Sequence, residues 1–233
     1  MHKFIASLVA GIFVFAALSS EGSALDRPVV VELFTSQGCN SCPPADRLLG
    51  ELAKRPDVLA LSFHVTYWDR LGWPDTFGLA AATDRQWAYA RVMDRERVYT
   101  PQMVIDGRAE LVGSRRPAVM EVIQLLKERQ RAGPDLRRVD DLITVGSGSG
   151  GGTVWLARFE RRHDVEIRRG ENAGRTLAYH NVVRELRPLG RWQGEAARFP
   201  LTRDGSGSRS GLAVLLQADD GRILNALRIE AAD

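Results

Sequence analysis

Cysteine is nearly absent from this chain: its 233 residues include two. At most one intrachain bridge is therefore available. A zinc site wants four ligands, and no histidine stands at zinc-finger spacing from the pair. Beyond the first 24 residues no run is apolar enough to cross a bilayer. Lysine-rich blocks are missing too. Lys+Arg (32) and Asp+Glu (29) nearly balance, so a basic pI near 9.1 does not point to nucleic acid. Serine-hydrolase, phosphate-loop and dinucleotide motifs are also missing; the glycine tract 146–152 lacks the following lysine and helix.

What is present begins with a leader. His2 and Lys3 precede an apolar run from Phe4 to Leu18, and Gly22-Ser23-Ala24 offers small residues for cleavage. That order predicts a secretory signal peptide over 1–24 and an exported, periplasmic or secreted chain with no membrane contact after cleavage. An uncleaved N-terminal anchor is the alternative.

The two cysteines stand three apart, Cys39-Asn40-Ser41-Cys42, after a β-branched run (Pro28 to Phe34) and before a stretch with Ala45, Leu48, Leu49 and Leu52 on one face. A bridge across two residues closes a tiny loop and constrains the unfolded chain little, so a purely structural role is physically poor. A strand feeding CxxC into a helix start is instead suited to thiol–disulfide exchange. Cys39, at the positive end of the helix, is the expected nucleophile, with the helix N–H groups favouring its thiolate. Cys42 is the expected resolving thiol. This reading requires the Cys39 sulfur to be reachable from solvent.

Pattern along the chain predicts β-α-β-α-β-β-α for residues 25–134. Strands are expected at Pro28–Phe34 and Val58–His64, and helices from about Cys42 to Lys54, from a capping box at Thr83 and Gln86 onward with Trp87, Ala90 and Met93 on one face, and from Ala118 to about Arg131. Asp106-Gly107 turns a hairpin that opens at Pro101. A crossover between the first two strands makes them parallel. Residues 135–233 show short β-rich runs, with Asp220-Gly221 at a hairpin, and predict an antiparallel β-rich module packed on the first domain. The Gly/Ser tracts read as hairpin loops or as linkers.

The first half resembles the thioredoxin-like superfamily: strand, CxxC at a helix start, Thr-Pro before a hairpin, closing helix. The segments Glu32 to Cys39, His64 to Trp68 and Tyr99 to Gly107 resemble an uncharacterised family of exported proteins, domain of unknown function 1223. The resemblance implies an α/β thioredoxin-like mixed sheet with flanking helices, a cis Thr100-Pro101 bond lying against the cysteines, and a Thr100 backbone that pairs with an extended substrate. It also implies that a buried acid, here Glu32, moves protons to and from the second cysteine. Capping of nearby loop backbone is the plainer role for Glu32.

His64 ends the second strand, near where ligands sit in parallel sheets. It is a candidate substrate-side or proton-relay group, or a hydrogen-bonded structural histidine. Tyr67, Trp68 and Tyr99 are candidate substrate-binding aromatics, as is Trp73 at the rim, or they simply fill core. The polar cluster Gly170 to Arg175, with Tyr179, His180 and Asn181 beyond it, either faces the redox site or joins the two halves. The expected partners are thiols or disulfides of exported proteins, without nucleic acid and without a cofactor. Transfer of Cu(I) through the same cysteines and His64, or a non-catalytic binding module, are the alternatives.

Overall fold

The computed structural model describes residues 27–130, 133–201 and 210–230. The expected leader, 1–24, lies outside the described residues. Among the described residues no helix is long and apolar enough to cross a membrane.

Two apolar strands seed the centre. β1 (Val29–Thr35) and β2 (Val58–His64) are buried at every position, as strands covered on both faces must be. They pair in parallel, Val29 opposite Val58 and Thr35 opposite His64. α1 (Pro43–Leu52) makes the crossover between them. β3 (Gln102–Ile105) lies antiparallel on the other side of β1, with Phe34 opposite Gln102, and β4 (Ala109–Val112) closes the hairpin. Asp106 and Gly107 both take positive φ at the turn. A Cβ at Gly107 would fall 1.9 Å from the carbonyl oxygen of Gly221, so that close approach of two hairpins needs glycine.

Strand parity sorts the core into two layers. Val29, Val31 and Leu33 pack with Leu48, Leu49 and Leu52 of α1 and with Val119 and Ile123 of α3 (Arg116–Glu128). Val30, Phe34, Leu59, Leu61 and Phe63 face α2 (Ala80–Val92).

α2 departs from its expected pattern. It begins at Ala80, one turn before the anticipated cap. Thr83 Oγ1 instead accepts the Thr66 N–H at 3.0 Å and ties the preceding loop to the helix. Trp87 is exposed, and the buried face carries Arg85, Gln86 and Tyr89. A helix that buries polar groups shows weak apolar periodicity, which explains the misplaced face.

The second half is antiparallel and β-rich, as expected. Its strands are β5 (Leu136–Val139), β6 (Leu142–Val145), β7 (Gly152–Ile167), β8 (Arg175–Trp192), β9 (Ala197–Pro200), β10 (Ser210–Ala218) and β11 (Ile223–Glu230). It meets the first half edge to edge. The long β7–β8 hairpin presents β8 to β2, giving one eight-stranded sheet in the order β11-β10-β7-β8-β2-β1-β3-β4. The β2–β8 ladder is a single parallel pair, Ser62 with Val182. Asn181 beside it has positive φ and donates its amide to the Ala60 carbonyl at 2.8 Å, so a side chain takes the place of a ladder bond. The tract 146–152 bridges two sheets rather than turning a hairpin. β5, β6 and β9 form a separate three-stranded sheet that covers Val154, Leu156, Trp192, Val214 and Leu216.

Candidate functional site

Cys39 and Cys42 are joined as a disulfide at the start of α1, with Cα atoms 5.4 Å apart. The Thr100-Pro101 peptide is cis. The β1–β3 register, Phe34 opposite Gln102, sets Pro101 beside the end of β1 from which the cysteine loop departs. Trp68 joins the two. Its Nε1 donates to Thr100 Oγ1 at 2.8 Å, and its Cβ and carbonyl lie against Gly38.

Two expectations about the nucleophile need correction. The first concerns access. Cys39 and Cys42 are each 0 % exposed, whereas Asn40 and Ser41 between them are exposed. The second concerns the helix N–H groups. Pro43 and Pro44 have none, and the N–H groups of Ala45 and Asp46 already bond the Cys42 carbonyl at 2.8 and 3.1 Å. Local support at Cys39 comes from the Ser41 hydroxyl, 3.4 Å from its sulfur and able to donate to a thiolate.

Glu32 is not beneath the cysteines. It lies on the α2 face of β1 and accepts from Arg85 at 2.6 and 3.0 Å, fully buried. Arg85 also donates to Tyr89 Oη and Gln217 Oε1 at 3.0 and 3.1 Å. Arg85, but not Glu32, lines a cleft of about 380 Å³ with Asp84, Tyr89, Trp155, Leu186 and Gln217, and neither cysteine lines it. Glu32 is an ion-pair partner that ties α2 to the sheet. It neither caps loop backbone nor serves the disulfide.

The acid on the α1 face is Asp46, one helical turn after Cys42. Thr35 Oγ1 donates to its Oδ1 at 2.8 Å, and Oδ2 finds no partner among the described residues. Burial pushes its carboxyl up to about 7, against opposing pulls from His64 and the Thr35 hydrogen bond.

His64 is wholly buried and cannot meet a substrate in this state, which corrects its expected place on the substrate side. Its ring meets Phe77 and Tyr179 edge-on, at centroid distances of 5.2 and 4.9 Å. Nδ1 lies 2.8 Å from Asp75 Oδ2, while Nε2 finds no partner among the described residues. Burial alone would raise Asp75. The His64 ring and the N–H groups of Gln37 and Phe77 hold it below the ordinary carboxylate range. Two neighbouring carboxyls are thus driven apart, one toward holding a proton and one toward losing it. Tyr179, whose hydroxyl is likewise unpartnered among the described residues, is raised chiefly by burial and then by both carboxylates.

The aromatic candidates are half-buried, with Tyr67 and Trp68 packed against the core on the α2 face. Tyr67 donates to Gln86 Oε1 at 3.3 Å, and burial pushes its hydroxyl up to about 12. Tyr99 donates to Glu110 Oε2, and its carbonyl accepts from Gln86. Trp73 donates to Gln37 Oε1 at 2.8 Å. Among the described residues no group of three or more His, Cys, Asp or Glu side chains is arranged to hold a metal ion.

A family model matches residues 30–217. The chain belongs to the DUF1223 family, described as proteins of unknown function. Among solved structures, protein AGR_C_4864 from Agrobacterium tumefaciens is 33 % identical to this DUF1223 chain. The match covers 88 % of this chain and 95 % of that one, with a TM-score of 0.75. HBP35 of Porphyromonas gingivalis shares the fold at 12 % identity, over 87 % of this chain and 74 % of that one, with a TM-score of 0.58. No curated protein matches.

Sequence reasoning missed Asp46, Asp75 and Gln37. Asp46 had a usable signal, since it stands four residues after Cys42 on the helix. Asp75 and Gln37 had none, because their roles arise only when the 65–77 loop folds back over the cysteine loop.

Proposed function

We propose that this protein is an exported, thioredoxin-like thiol–disulfide exchanger acting on thiols or disulfides of other exported proteins. The observation that carries the reading is the Cys39–Cys42 disulfide at a helix start, with the cis Thr100-Pro101 bond at the adjoining end of the neighbouring strand. Both sulfurs are buried in this structure, so a local opening of the cysteine loop comes first. In the oxidised direction a partner thiolate then attacks the uncovered Cys39 sulfur. The Cys39–Cys42 bond breaks, Cys42 leaves as a thiolate, and a mixed disulfide forms. A second partner thiolate then attacks the partner sulfur of that mixed disulfide and Cys39 departs. Two electrons pass from the partner dithiol to the protein, and two protons move to its cysteines. The reverse order oxidises the protein and reduces a partner disulfide.

Asp46 is the proton donor and acceptor for Cys42 in this reading. Its position one turn along α1 and its unpartnered oxygen support that role, and the hydrogen-bonded His64 and Asp75 both act on its charge. Export is supported by the basic, apolar, small-residue order of 1–24, and a persistent disulfide suits an oxidising compartment.

The test is a trapping pair. Cys42→Ser, treated with glutathione disulfide and separately with the oxidised proteins of the exported fraction, should accumulate mixed disulfides through Cys39, resolved on a non-reducing gel and mapped by mass. Cys39→Ser should accumulate far less. Equal labelling of the two variants, or none of either, overturns the reading.

A further inference from the structure

The tip of the β7–β8 hairpin, where Asn172 stands 133 residues after Cys39, is bonded to the cysteine loop itself. Asn172 is 0 % exposed, and its Nδ2 donates to the carbonyls of both Gln37 and Cys39, each at 2.9 Å. Its Oδ1 accepts from Arg175 Nη1 at 2.7 Å, which fixes the direction of the amide. Next to it Glu171 Oε2 accepts the N–H of Asn40 at 3.3 Å. The tip rests on the 65–77 loop, where a Cβ at Gly170 would meet the Trp73 Cβ at 3.2 Å.

Gln37 is where these segments meet. Its N–H bonds Asp75, its Oε1 accepts from Trp73, its Nε2 donates to Thr76 and its carbonyl accepts from Asn172. The attachment at the tip is polar and small, with two glycines at positive φ (Gly170 and Gly174) and no large apolar side chain in the turn. A junction built this way can part without dismantling a core.

We propose that Asn172, held by Arg175 and assisted by Glu171, is a clasp that controls access to Cys39. Closed, it covers the disulfide and fixes the Cys39 carbonyl. Open, it uncovers the sulfur together with the edge of the cysteine loop. The clasp makes exchange conditional on a partner that displaces the hairpin tip, such as an extended segment offering its own N–H groups to the Gln37 and Cys39 carbonyls. What the opened site then does rests on the exchange reading; whether the clasp gates the disulfide does not.

The experiment is therefore chemical. The full chain is reduced with dithiothreitol, whose two thiols close to a cyclic disulfide as the protein gains two thiols, and the rate is followed by quenched alkylation. Asn172→Ala should react faster than the wild type by about ten- to a hundredfold, the range set by two to three lost hydrogen bonds of ordinary net strength. Arg175→Ala, at an exposed position, should react faster by a smaller factor and serves if the first variant does not fold. Val145→Ala, which weakens the separate three-stranded sheet, should leave the rate unchanged. In the wild type the Asn40 amide should exchange hydrogen by local opening, well ahead of Val31. Equal rates in wild type, Asn172→Ala and Arg175→Ala, acceleration by Val145→Ala to the same degree, or exchange at Asn40 only with global unfolding each overturns the clasp. Trapping at Cys39 could still succeed in any of those cases, so the two readings fail separately.

Discussion

Asp46→Asn gives the sharpest test of the buried site. The folded chain holds the Asp46 proton up to about pH 7, whereas an unfolded chain releases it near the ordinary aspartate value of 3.8. Between those values the native state binds more protons than the unfolded state, so the residue lowers stability as pH rises from about 4 to 7 and adds no slope above that. A displacement of that size corresponds to about 4 kcal/mol across the window. Asparagine keeps an Oδ1 acceptor for the Thr35 hydroxyl and carries no proton to lose. The assay is urea unfolding of the oxidised proteins at steps from pH 4 to 8, taking the difference between variant and wild type. That subtraction cancels the shared groups that do not interact with Asp46; His64 and Asp75 enter the difference through their coupling to it. The variant should gain roughly 3–4 kcal/mol relative to wild type between the two ends. A difference that stays flat to within about 0.5 kcal/mol would refute the placement of a protonated carboxyl there, and with it the role of Asp46 as proton carrier.

Other outcomes follow from the same contacts. Removing Arg85 with alanine leaves Glu32 buried and unpaired, and should cost about 3–5 kcal/mol in urea unfolding while the rate of disulfide reduction by dithiothreitol stays at the wild-type value. Gly50→Ala would set a Cβ 2.5 Å from His180 Nδ1 and should destabilise by about 1–3 kcal/mol. Adding His180→Ala should recover most of that loss, and a simple sum of the two single effects would show that α1 and β8 do not press on each other there. Lowering the pH below the ordinary carboxylate range should protonate Asp75, which the fold holds low, so stability carried by the Asp75–His64 contact is lost as pH falls. Asp75→Asn should remove that acid-limb loss, measured by the same urea series.

Much of the candidate site could be read directly from the chain because its signals are local. β2 falls at the expected bounds, the Asp106-Gly107 and Asp220-Gly221 turns fall where turn chemistry put them, and CxxC meets a helix whose apolar stripe was plain. The choice of Glu32 as the buried acid failed for a specific reason. An acid in an apolar strand signals burial but not which layer covers it. β1 sends odd-numbered side chains to α1 and even-numbered ones to α2, so Glu32 met Arg85 while Thr35 met Asp46. His64 was rightly placed at the strand end and wrongly assigned to a substrate face, since Phe77 and Tyr179 close over it from distant segments.

By itself, then, the sequence determined the strands, the turns and the pairing of two cysteines with a helix start, because alternation, turn residues and capping act over a few bonds. Only tertiary structure decided that β8 docks on β2, that Glu32 meets Arg85 on the side of the sheet away from α1, and that Asn172 reaches the Cys39 carbonyl. Those contacts join residues far apart in the chain. Hydrogen bonds and layer packing at such separations leave no periodic trace in the segments that make them.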